Sequence, residues 1–118
     1  MNDYETTWQQ LIDEIAALES VAEHDECAHL PMKKCMARLN LVQPFDWMNW
    51  EVGFPPIEEL NRLDIHDCVR QITRLVRRDR FMENSLAMCI HVGYFRALCE
   101  VARVQAGGKR APYLPKGG

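Results

Sequence analysis

What this sequence lacks narrows it more than what it holds. No apolar run approaches the roughly 18 residues that a membrane span needs, and the opening stretch MNDYETTW is acidic and polar, unlike a signal peptide. The five cysteines are odd in number and form no compact framework, so reduced thiols in a cytoplasm are expected, most of them acting as small buried apolar residues. There is no glycine-rich phosphate loop, no G-x-S-x-G, no H-E-x-x-H and no C-x-x-C. His66 with Cys68 and Cys89 with His91 lie two apart on expected helices. Each pair points to different sides and makes a poor nucleophile and base. The expectation is a non-enzymatic protein with no cofactor.

Positive charge is missing from the first thirty residues. They hold eight acids and no Lys or Arg, whereas residues 62–118 carry eleven bases and five acids, within a net charge of −3 over 118 residues. Segregation of this kind either serves a partner or brings the two halves together in the fold. Alternating apolar and polar positions are missing too, which removes strands and leaves helices.

What is present is helical periodicity. Tyr4, Trp8, Leu11, Ile12, Ile15, Leu18 and Ala22 recur at steps of three and four, the stripe of an amphipathic helix. Pro31 suits the first turn of a second helix continued by Met32, Cys35, Met36 and Leu39. The segment VQPFDWMNWEVGFPP is broken by Pro44, Gly53, Pro55 and Pro56 but rich in rings. Too apolar for a linker, it reads as a plug on the bundle, with Asp46 capping a turn that places Trp47 and Trp50 on one side. A short helix is expected from Pro56 to Leu63. Asp64 then caps a long one burying Ile65, Cys68, Val69, Ile72, Leu75 and Val76, which is interrupted near residue 80. Two more follow, at 84–91 and 94–105, divided at Gly93, with Glu83 stabilising the start of the first. The tail AGGKRAPYLPKGG is expected to fray. The fold expected is all-α: a compact single-domain bundle of about five helices over 1–106, with an aromatic, proline-rich connector and a flexible tail over 107–118.

Three groups could carry function. His24, Cys27, His29 and Cys35 have ligand types that zinc prefers, but the one-residue gap between Cys27 and His29 points their side chains apart, and Cys35 fits a buried helical step. No metal is therefore assigned, though a small zinc protein stays open. Arg70, Arg74, Arg77 and Arg78 share one helix face, flanked by Arg62 and Arg80. That stripe could bind phosphates or an acidic surface. The net acidity of the chain argues against direct nucleic-acid binding, and a solvated face is the plainer account. Six methionines suit an irregular core, while Met48 beside Trp47 and Trp50 suits an interface anchor.

From about residue 41 to 104 the chain resembles an uncharacterised family of small bacterial helical proteins. The resemblance is carried by PFDWMNW, by LDIHDCVRQITRLVRRDRF, and by the glutamate, helix, glycine and apolar helix of MENSLAMCIHVGYFRALCEVARV. At the position of Asn84 such proteins more often carry glycine. The resemblance implies a helical domain and no activity.

The reading that these features favour is a small protein-binding module. Its expected contact residues are Asp13, Glu14, Glu19, Glu23, Trp47, Trp50, Arg70, Arg74, Arg77 and Arg78. The partner expected is a bacterial protein or nucleoprotein complex, for example a defence complex inhibited by a phage or mobile-element protein in the manner of anti-CRISPR proteins, with a homodimer left open. The alternative is a nucleic-acid-binding regulator that uses the arginine stripe.

Overall fold

The computed structural model describes residues 3–115 of the chain. Helix α1 runs over Asp3–Glu19, α2 over Leu30–Arg38, α3 over Ile65–Arg78, α4 over Ser85–His91 and α5 over Tyr94–Gln105. Short 3-10 turns lie at Cys27–His29, Trp47–Asn49 and Ile57–Arg62. No strand occurs among the described residues, and the all-helical expectation holds.

The periodicity of α1 explains its packing. Trp8, Leu11, Ile15 and Leu18 fall on one stripe and are all buried, against α2, α4 and α5. Ala22 lies beyond the end of the helix and is exposed. Helix α5 sits between α1 and α3. It seals Phe95, Leu98, Cys99 and Ala102 from solvent, each larger side chain contributing about 2 kcal/mol through burial. Between α4 and α5 the chain bends by 78°. The residue at the bend is Gly93, whose φ of 81° favours glycine. No single helix among the described residues is long and apolar enough to cross a membrane.

Polar groups fix the ends of the elements. Asp64 accepts a hydrogen bond from the Asp67 amide at 2.8 Å, the N-cap expected for α3. Helix α2 ends in a left-handed residue, Asn40, with a φ of 61°. The Leu41 amide there reaches the Met36 carbonyl and the Asn40 amide reaches that of Ala37, a Schellman closure. Asn84 is also left-handed, with a φ of 66°, so asparagine or glycine suits the site best. The carboxylate serving the start of α4 is not Glu83. It is Asp79, which accepts from the Leu86 amide at 3.0 Å.

The expectation that the C-terminal segment frays is corrected. Trp8 donates its indole N–H to the Lys109 carbonyl, 2.9 Å away. Ala111 is buried and its amide donates to Leu39, while Asn40 donates to the Ala111 carbonyl. Gln43 donates to the Pro112 carbonyl and accepts from the Leu114 amide, both at 2.8 Å. Composition alone hides this, because the partners are side chains nearly seventy or more positions away. Residues 116–118 of the expected tail lie outside the described residues.

Candidate functional site

The aromatic connector covers the arginine helix. Arg74 is only 7% exposed. Its guanidinium carbon lies 4.0 Å from the Phe54 ring centre and 4.5 Å from that of Trp50. One terminal nitrogen donates to the Val52 carbonyl and the other to Gln71 Oε1 at 2.8 Å. Gln71 in turn donates to the Gly53 carbonyl at 3.1 Å, and the Tyr94 hydroxyl donates to that of Pro55 at 2.8 Å. Three connector carbonyls are thus held by three buried or half-buried side chains of α3 and α5. Burial pushes the Tyr94 phenol up to about 12, so it stays a donor. Burial, and then Arg78, lowers the Arg74 pKa, while Tyr94 raises it. Only the Nε of Arg74 lacks a partner.

The solvated stripe of arginines is therefore corrected. Arg74 is a buried staple, Arg70 pairs with Asp67 at 3.2 Å, and Arg78 lies 4.8 Å over Phe54. Arg77 stays half-buried on the same helix, while Arg80 is exposed just beyond its end. The two tryptophans also part company. Trp50 packs edge-on against Phe45, with ring centres 5.6 Å apart, whereas Trp47 meets Phe81 at 6.1 Å. Asp46 accepts from the Asn49 side chain at 2.7 Å rather than capping a backbone amide.

The acidic candidates are dispersed along and beyond α1. Asp13 accepts from Gln9 at 2.9 Å, and Glu14 is half-buried. Glu19 sits 2.7 Å from Arg96 Nε, a close ion pair without hydrogen-bond alignment. Glu23 lies past the helix, in a different setting described below.

Two surface features stand apart from this packing. One is an apolar ridge. Met48, Phe81 and Met82 are 68%, 69% and 51% exposed, and the contact of Trp47 with Phe81 joins the turn at 47–49 to the residues after α3. Methionine composition hinted at Met48. Nothing in the periodicity marked Phe81 as exposed.

The other is a cleft containing three histidines. His24 Nδ1 and His29 Nε2 are 2.6 Å apart, and the His91 ring centre lies 4.8 Å from that of His24. His29 is 3% exposed. Neither His24 Nε2 nor His29 Nδ1 has a hydrogen-bond partner. Burial lowers the pKa of both rings. His91 lowers His24 further and Asp25 raises it, while His24 and Lys33 lower His29 and Asp79 and Asp25 raise it. Two adjoining lobes of about 590 and 240 Å³ flank the pair. Sequence spacing paired these histidines with cysteines instead. Cys27 is exposed and Cys35 is buried, and among the described residues no three His, Cys, Asp or Glu side chains converge as metal ligands would. A separation of 2.6 Å suits a shared proton, whereas two zinc–nitrogen bonds of about 2.0–2.1 Å each need the nitrogens farther apart.

The other thiols show no activation. Burial pushes Cys68 up to about 12 and Cys89 up to about 11, and raises Cys35 and Cys99 as well.

The pattern of a family of unknown function (DUF6508) matches residues 6–107. The chain belongs to that family. The match takes in α1 as well as the stretch from 41 to 104 on which the resemblance rested, and so makes the acidic helix part of the family domain. No curated protein and no solved structure matches the chain.

Proposed function

We propose that this member of the family is a protein-binding module and that the ridge of Trp47, Met48, Phe81 and Met82 is its contact surface. The observation that carries this reading is the exposure of Met48 and Phe81, both above two thirds, with the half-buried Trp47 ring in contact with Phe81. Clustered aromatic and methionine side chains supply anchor energy in interfaces and adapt to a partner's shape. The neighbouring charges favour protein over nucleic acid. Asp46, Glu51 and Glu83 accompany Arg77 and Arg80 along these segments, whereas a phosphate backbone calls for uniform positive charge. Arg70 and Arg74, which a nucleic-acid reading needs, are engaged within the chain.

In its finer form the partner is a bacterial defence complex and the acids of α1 make the contact. Size and charge are its support. With Glu19 beside Arg96, that form relies on Asp13 and Glu14, and the ridge is the stronger surface.

The test compares tagged wild type with a Met48→Ser, Phe81→Ser double variant in nuclease-treated bacterial lysate. A protein retained by the wild type should be lost from the double variant, with affinity for the purified species down by about tenfold or more. Equal retention by both would remove the ridge from the interface. Retention that disappears with nuclease would favour nucleic acid. Light scattering that shows a dimer abolished by the same changes would make the partner a second copy.

A further inference from the structure

The cleft around His24 differs from the ridge in chemistry and does not depend on it. Its larger lobe is lined by Glu23, His24, Asp25, Asn84, Met88 and His91, among others. The smaller lobe adds Glu26, His29, Asp79 and Glu83. Five carboxylates and three imidazoles therefore line the two lobes, with no Lys or Arg among the lining residues. The combined size lies in the range of small-molecule sites.

The histidine pair defines what such a ligand must offer. When both rings are neutral, one donates across the 2.6 Å contact and the other accepts. If His24 donates from Nδ1, its Nε2 keeps a lone pair and His29 Nδ1 carries a hydrogen. If His29 donates, these roles reverse. Either way the pair presents one free acceptor and one free N–H, and both outer nitrogens are buried without a partner. A buried polar atom left unmet carries an uncompensated desolvation cost, which a ligand group that satisfies it relieves.

Charge and dispersion narrow the class further. The carboxylates call for a cation. They do not converge with the histidines on one point, as a metal ion would require. An ammonium or guanidinium group spreads three to five N–H donors over a wider volume and matches separated acceptors. We infer that the cleft between residues 22–29 and 79–91 binds an organic cation bearing N–H donors, held by the free lone pair of the His24–His29 pair and by the surrounding carboxylates.

Ring C–H signals of His24, His29 and His91 report on this directly during titration of the whole protein. Agmatine and spermidine should move them saturably, while tetramethylammonium, which has the charge and no N–H, should not. An Asp25→Asn, Glu83→Gln double variant should weaken agmatine binding by about tenfold or more at an unchanged melting temperature, since Glu83 is exposed and asparagine keeps the oxygen that accepts from the Ala28 amide. A blocked Lys-Arg dipeptide separates two sources of the same chemistry. Tighter binding of the dipeptide assigns the site to a basic chain segment, and tighter binding of agmatine or spermidine assigns it to a free polyamine. Signals that do not move, or that move equally with tetramethylammonium, would overturn the inference. Displacement of agmatine by equimolar zinc chloride would overturn it in favour of a metal site.

Discussion

Two regions of this protein bury nitrogen-rich side chains, and they do it in opposite ways. Under the connector, Arg74 has a carbonyl, an amide oxygen and two ring faces as partners. Beside the cleft, His24 and His29 meet each other and leave an outer nitrogen each with nothing. A charge enclosed with both terminal nitrogens matched, and only Nε unmet, holds the fold together. A polar pair enclosed with its outer atoms unmet has capacity left for something outside the chain. The sequence divides them differently, because a row of arginines on one helix face reads most plainly as a solvated face, and His24 and His29 fall close to Cys27 and Cys35 as zinc-type ligands.

Replacing Arg74 with Met is the strongest way to break that contrast. It strands the Val52 carbonyl and the Gln71 side chain and removes both ring contacts, so a loss of about 3 kcal/mol in urea unfolding is expected. Arg74→Lys keeps the charge without the planar fork and should recover only part of it. If Arg74→Met unfolds at the wild-type midpoint, the connector is not stapled. Ending the chain after Gly108 tests a second region held by side-chain bonds to backbone carbonyls. It removes the partners of Trp8 and Asn40 and one of the carbonyls held by Gln43, for an expected loss of about 2 kcal/mol at about 1 kcal/mol per bond with partial rescue by water.

The smallest effect belongs to the histidines and is read through pH. Both rings have pKa values lowered from the ordinary 6.5 in the folded chain. The unfolded chain therefore takes up protons first as the solution is acidified. Their contribution is complete above that value and declines as pH falls below it. The urea midpoint should be lower at about pH 5.5 than at about pH 7.5. In a His24→Gln variant that difference should shrink, and an equal difference in both proteins would place its origin elsewhere. Asp25 raises both pKa values, Asp79 raises that of His29 and Lys33 lowers it, so the neighbours set how far down in pH the decline extends.

The helices were legible wherever one residue type repeated at one step. The stripe of α1, the Asp64 cap of α3 and the division at Gly93 all follow from local pattern and match the structure closely. Pairings across the chain were not legible. Arg74 meets Val52 across 22 positions and Trp8 meets Lys109 across 101, distances at which no periodicity speaks. The candidate sites failed for the same reason. His91 joins His24 only because α4 ends beside the stretch that follows α1, and local spacing instead matched His24 with Cys27. Composition suggested that the connector was a plug but could not say that its carbonyls, more than its rings alone, are what α3 and α5 hold.

The bond between Trp8 and Lys109 ties the first helix to almost the last described turn. During synthesis α1 emerges before the residues that complete this seam. Its indole and the Asn40 side chain obtain their partners, and Gln43 its second carbonyl, only when residues 109–114 have cleared the ribosome. Until then a nascent chain with every helix already made still has an open seam beside its largest buried ring. The bundle therefore closes this seam only after residues 109–114 are available, later than its helices.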